Sequence, residues 1–286
     1  MEARVSPADS LNGTIQLPGD KSISHRYAIL AGLAEGSSLI HNFSSGADCQ
    51  STLDAMRALG VDVSRKGNDV SLRGVGLDGL IEPTSMIDAG NSGSTIRMLS
   101  GVLAAQPFTS RIGGDESLSR RPMERIMKPL RLMGAQIQAR EDRFPPLEIE
   151  GQFLQSIEYK LPVASAQVKT CVLFAGLFTD GTTTVVEPVR TRDHSEIALR
   201  EFGASITIDN LRISIQGLPE LRPRELTVPG DISSAAFFLV AALLVPKSEI
   251  LIENVGLNPT RAALLDFLMS MGADIRIVNI RQENGE

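Results

Sequence analysis

Met56-Arg57-Ala58-Leu59-Gly60-Val61-Asp62-Val63, Leu130-Arg131-Leu132-Met133-Gly134-Ala135-Gln136-Ile137, Leu199-Arg200-Glu201-Phe202-Gly203-Ala204-Ser205-Ile206 and Leu268-Met269-Ser270-Met271-Gly272-Ala273-Asp274-Ile275 share one shape. Each reads as a helix end, a glycine C-cap and a strand start. The four glycines recur at intervals of about 70 residues, too regular for incidental punctuation, so the chain is built from repeated units.

Outward from Gly60, the first unit reads as strand 14–17, apolar helix 24–34, strand 38–42, amphipathic helix 49–59, and strands 61–64 and 69–73. The fold class is therefore α/β, with about four repeated βαβαββ units visible. A fourth unit reaches a predicted strand at 274–278 and then the polar run Asn279-Ile280-Arg281-Gln282-Glu283-Asn284-Gly285-Glu286, without a last strand. An incomplete unit exposes a sheet edge and apolar helix faces. A partner, another segment or a truncation is implied, and self-association is expected.

With 286 residues, 42% hydrophobic and 22% charged, the composition is that of an ordinary globular protein able to bury a sizeable core. No secretory signal is visible, and the most apolar segment, 235–246, is too short to cross a bilayer, so a cytoplasmic protein without a membrane partner is expected. Cys49 and Cys171 have no Cys or His nearby at metal-ligand spacing, which argues against zinc and against a catalytic thiol. A net charge of −6 disfavours a nucleic-acid surface but leaves room for a local cationic pocket.

Such pockets are suggested at three helix starts. Gly19-Asp20-Lys21-Ser22-Ile23-Ser24-His25-Arg26 opens the first apolar helix with hydroxyls and two cations. Unpaired first-turn N–H groups and the helix dipole add to that attraction for an anion such as phosphate, although serine capping with solvated charges explains the same residues. Asp88-Ala89-Gly90-Asn91-Ser92-Gly93-Ser94-Thr95-Ile96-Arg97 has two glycines that let backbone approach a ligand. Pro162-Val163-Ala164-Ser165-Ala166-Gln167-Val168-Lys169 repeats the device with hydroxyl, amide and ammonium donors. Between the second and third lies Gly113-Gly114-Asp115-Glu116-Ser117-Leu118-Ser119-Arg120-Arg121-Pro122, where proline fixes a helix entry and an arginine stands ready to clamp an oxyanion.

These four stretches, in this order and spacing, resemble the enolpyruvyl transferases, and the Asp-Lys-Ser-x-Ser-x-Arg start resembles the branch acting on shikimate 3-phosphate. The resemblance implies six units in two three-unit domains around a closing cleft. It places a complete domain at 19–225 and a partial one at 1–18 with 226–286, hinged near 18–20 and 226–231. By position, Lys21 would touch both shikimate 3-phosphate and phosphoenolpyruvate. Ser22, Arg26, Ser165 and Gln167 would hold the former, with Gln167 also near the latter. Gly93 and Arg121 would hold phosphoenolpyruvate, where glyphosate also binds in this family, and Asn91, Arg97, Lys169 and Arg192 belong to matching motifs as support. Ser94 departs from the family's usual threonine, which bears on glyphosate sensitivity.

The implied reaction needs no metal or organic cofactor. The resemblance also implies a carboxylate base and further cations from two later units that do not occur in this sequence, so the chain is expected to be inactive alone and to need a complementing C-terminal fragment. Asp231 matches the inter-domain crossover and is not assigned as that base. Two alternatives are a UDP-N-acetylglucosamine enolpyruvyl transferase and a noncatalytic anion-binding relative. Against the first, Asp115 stands soon after Gly113-Gly114 where that branch commonly carries cysteine.

Overall fold

The computed structural model describes residues 6–282. Strand β1 (Asn12–Gln16) precedes the first unit, which comprises α1 (Lys21–Leu33), β2 (Gly36–His41), α2 (Ala47–Ala58), β3 (Asp62–Lys66) and β4 (Asp69–Gly74). The second is β5 (Ile87–Asp88), α3 (Gly93–Leu103), β6 (Thr109–Gly113), α4 (Glu124–Leu132), β7 (Gln136–Arg140) and β8 (Phe144–Glu150), with a 3-10 turn at Leu118–Arg120. The third is β9 (Glu158–Lys160), α5 (Ala166–Gly176), β10 (Thr182–Val186), α6 (His194–Glu201), β11 (Ile206–Asp209) and β12 (Arg212–Gln216). There follow β13 (Glu225–Thr227), α7 (Ile232–Leu244), β14 (Glu249–Glu253) and α8 (Ala263–Ser270).

All four repeat glycines close their helices in the same way. Gly60, Gly134, Gly203 and Gly272 have φ of 91°, 106°, 98° and 93°, a region a Cβ makes costly. Each donates its N–H to the carbonyl three residues back (Arg57, Arg131, Arg200, Met269), and the next residue's N–H reaches the carbonyl five back (Met56, Leu130, Leu199, Leu268). This double closure satisfies carbonyls that the helix end would orphan, and it aims the chain into the next strand.

The second and third units form sheets of order β5-β6-β8-β7 and β9-β10-β12-β11, with the first pair parallel across its helix and the rest antiparallel. The first unit departs from the expectation drawn from adjacency. Its sheet is β13-β2-β4-β3, so its leading strand is β13, with Glu225 opposite Leu39, and not the segment at 14–17. β1 instead pairs in parallel with β14. The two strands are thus exchanged, and residues 226–227 lie in the first unit's sheet. The two crossing segments hold each other: Asp20 N–H donates to Pro229 O at 2.8 Å and Asp231 N–H to Pro18 O at 3.1 Å.

One apolar core runs through all three units and includes Leu226 and Val228, while a second, small one joins Leu17, Ile232, Ala235 and Leu265. Beside the small core, Phe237, Phe238, Val240, Leu243 and Leu244 of α7 are exposed, together with Phe267 and Met271 of the α8 region. The strand expected at 274–278 does not form. A strand gains its backbone bonds from a neighbour, and none is present beside it among the described residues. No helix among the described residues is long and apolar enough to cross a membrane.

Candidate active site

α1, α3 and α5 are the apolar helices of their units, and their N-termini meet. Each has a side-chain cap: Asp20 Oδ1 accepts from Ile23 N–H at 2.9 Å, Ser92 Oγ from Thr95 N–H at 3.1 Å, and Ser165 Oγ from Val168 N–H at 3.3 Å. A cap takes only one of the first-turn donors, so the dipole and remaining N–H groups persist. Because aspartate caps α1, Ser22 has its hydroxyl for other work: Ser22 Oγ accepts from Arg192 Nη1 at 2.6 Å.

Hydrogen bonds and ion pairs gather most of the expected residues into groups at these helix starts. Lys21 Nζ lies 2.9 Å from Asp48 Oδ2, and the Asp48 carbonyl lies 3.3 Å from Thr95 Oγ1, which brings together the starts of α1, α2 and α3. Gln167 joins α5 to α3, donating to Ser94 Oγ at 3.0 Å and accepting from Arg97 Nη1 at 3.0 Å. A Cβ on Gly93 would stand 2.6 Å from Arg97 Nη1, so the Arg97 guanidinium would have to shift, and 3.4 Å from Arg121 Nη1, an ordinary contact. Arg121 donates to the Asn91 carbonyl at 3.3 Å and to its Oδ1 at 2.5 Å, and Asn91 Nδ2 donates to Asp115 at 2.7 Å. Arg120 faces solvent and pairs with Glu116, so only the second of the two arginines joins the cluster.

Two expectations need correction. Lys169 is wholly buried, with Nζ 2.6 Å from Glu196 Oε1 and 3.2 Å from Glu187 Oε2, and so offers no ammonium to the cleft. A position in the first turn of an apolar helix does not fix which way the chain points, and here two carboxylates draw it inward. Arg26 is only 2% exposed. Its Nη1 donates to Ser22 O, Nη2 to Thr170 Oγ1 and Nε to Ser195 Oγ, each at 2.8 Å, so it braces the site from beneath.

Burial, then the charges of Arg121 and Arg125, push the Arg97 pKa down; burial, then Arg261, does the same for Arg192. Asp20 is pushed up by burial and by Asp231. Both thiols are raised by burial, Cys49 to about 12, which leaves them poor nucleophiles.

A model of the family described as EPSP synthase (3-phosphoshikimate 1-carboxyvinyltransferase) matches residues 5–285. The chain belongs to the EPSP synthase family. A relative named 3-phosphoshikimate 1-carboxyvinyltransferase from Solibacter usitatus (strain Ellin6076) is 64% identical over all of this chain and 67% of its own length. One of the same name from Geobacillus thermodenitrificans (strain NG80-2) is 55% identical over 97% of this chain and 64% of its own. The solved EPSP synthase from Acinetobacter baumannii superposes with a TM-score of 0.91 at 47% identity, over 96% of this chain and 63% of that one. The chain thus spans about two thirds of the length of these relatives.

Several residues that touch the expected ones escape a reading of the sequence. Thr170, which holds Arg26 together with Ser195 of the 192–196 segment, and Asp48, which meets Lys21, are small or acidic residues without a motif of their own. Thr170 stands one turn beyond Ala166, at the spacing that shares a helix face with it, and that periodicity is the signal that could have found it.

Proposed function

We propose that this chain carries substrate-binding machinery for transferring the enolpyruvyl group of phosphoenolpyruvate to the 5-hydroxyl of shikimate 3-phosphate, with release of phosphate. The supporting observation is the pairing of two cation groups at adjoining helix starts. Lys21 and Arg192 flank Ser22, and Arg97 and Arg121 flank Gly93. Two cation groups at helix starts bridged through Asp48 and Thr95 suit a reaction between two phosphorylated molecules. Burial and then the charge of Arg121 disfavour the charged form of Arg97, a cost that an anion seated beside it offsets.

In this reading Ser22, Ser165 and Gln167 hold shikimate 3-phosphate, with Arg26 fixing Ser22 from below. The Gly93 N–H and Arg121 hold phosphoenolpyruvate, and Lys21 meets both. The methylene carbon of phosphoenolpyruvate gains a proton while the 5-hydroxyl oxygen bonds to C2 and gives up its own. The tetrahedral intermediate then expels phosphate with the electrons of its C–O bond, and loss of a methyl proton restores the double bond. Fixed cations follow the charge as it moves, without reorganising. The carboxylate base that the family resemblance implies has no counterpart in this sequence, so binding, not turnover, is the property expected of the chain alone.

The remaining part of the Solibacter relative, fused or added in trans, supplies the test. Phosphate release that requires both reactants, and that falls by about 100-fold or more in Lys21→Ala, is expected. A complemented protein that binds both molecules yet liberates no phosphate would be a noncatalytic anion binder, and the proposal would fail.

A further inference from the structure

The buried Lys169 is unusual in having two carboxylate partners. One ammonium between Glu187 and Glu196 ties α5 to two separate pieces of chain. Glu196 lies in the first turn of α6, beside the Ser195 that receives Arg26. Glu187 follows β10, and its carboxylate reaches forward: Oε1 accepts the Thr191 hydroxyl and Oε2 the Thr191 N–H at 3.4 Å. Arg192 comes next and donates to Ser22 Oγ. On its other side, Asp193 Oδ1 accepts from Asn258 Nδ2 at 2.8 Å and from the Thr260 hydroxyl at 3.3 Å, both between β14 and α8. Arg192 therefore stands between two anchored neighbours.

We propose that Lys169, Glu187 and Thr191 form a positioning relay that sets the Arg192 guanidinium against Ser22, and thereby sets the affinity of the site for a phosphate ester. Under the reading above, on which this rests, that ester is shikimate 3-phosphate. The relay explains why an ammonium is kept in a fully buried place, where well-packed apolar groups would serve stability equally. Burying it fixes both carboxylates, and Glu187 then has a defined direction in which to hold the loop. Arg192 needs that support because a long side chain on an unanchored loop loses conformational entropy on binding.

The test is calorimetric titration of the full chain with shikimate 3-phosphate. Thr191→Val removes the hydroxyl and leaves the buried charges alone. It should weaken binding by about tenfold, since small misplacement of a binding group carries losses of that order. Thr191→Ser should restore affinity, and Thr191→Val combined with Arg192→Ala should bind no worse than Arg192→Ala alone. Unchanged affinity in Thr191→Val, or full additivity in the double variant, would overturn the relay while leaving the functional reading intact. If the unaltered chain shows no saturable binding, the functional reading fails, and hydrogen exchange decides the relay separately. Faster exchange across 190–193 in Thr191→Val supports it, and unchanged protection there refutes it.

Discussion

At the scale of single residues, position and direction are different things. Gly93 could be singled out from its motif, and its reason is steric: a methyl group there would press on Arg97 Nη1 from 2.6 Å. Gly93→Ala should push Arg97 from Gln167 and raise the dissociation constant for phosphoenolpyruvate, measured with shikimate 3-phosphate present, by about tenfold, or about 1.4 kcal/mol. Unchanged affinity would show that Arg97 has room to yield. Lys169 and Arg121 teach the complementary lesson. Both stand at marked helix entries, yet one ammonium turns inward to two carboxylates while the other cation meets Asn91. Nothing local in the sequence tells these outcomes apart, because each depends on residues far along the chain.

At the scale of elements, the helix starts are joined by a buried polar thread. His25 Nδ1 is 2.7 Å from Thr52 Oγ1, Thr52 is 2.7 Å from Thr95 Oγ1, and the Thr95 hydroxyl donates to Ser92 Oγ at 2.7 Å. The thread ties α1, α2 and α3 together and holds His25 neutral, since burial first and then Arg26 push its pKa down to about 3. His194, buried above all and then facing Arg26, Arg261, Arg192 and Lys169, goes down to about 2. An unfolded histidine titrates near 6.5, so below that pH the unfolded chain binds protons that the folded chain refuses. Their stabilising contribution is full above pH 6.5 and falls as pH drops toward those lowered values. Each costs up to about 1.4 kcal/mol per pH unit. His41, raised chiefly by Glu225, acts in the opposite sense, losing its contribution as pH rises. Urea unfolding of His25→Asn between pH 6.5 and 5 should therefore show a shallower acid loss than the parent chain. Equal slopes would mean that His25 is protonated in the fold.

At the scale of the whole molecule, the repeat was legible because a glycine C-cap is a local device, written in eight residues and closed by bonds within them. The exchange of β1 and β13 was not legible from adjacency, which groups 14–17 with the first unit, since it pairs Glu225 with Leu39 and Asn12 with Glu249 across most of the chain. The expectation that 1–18 goes with 226–286 comes from the family resemblance alone. The site lies between these cases. Its residue types were readable at each helix start, but their meeting depends on α1, α3 and α5 sharing one end of the packed units. That meeting is the central claim, and titrating the chain with shikimate 3-phosphate tests it most directly. Saturable binding that is lost or strongly weakened in Lys21→Ala is predicted; no saturable heat, or identical binding by Lys21→Ala, would contradict it.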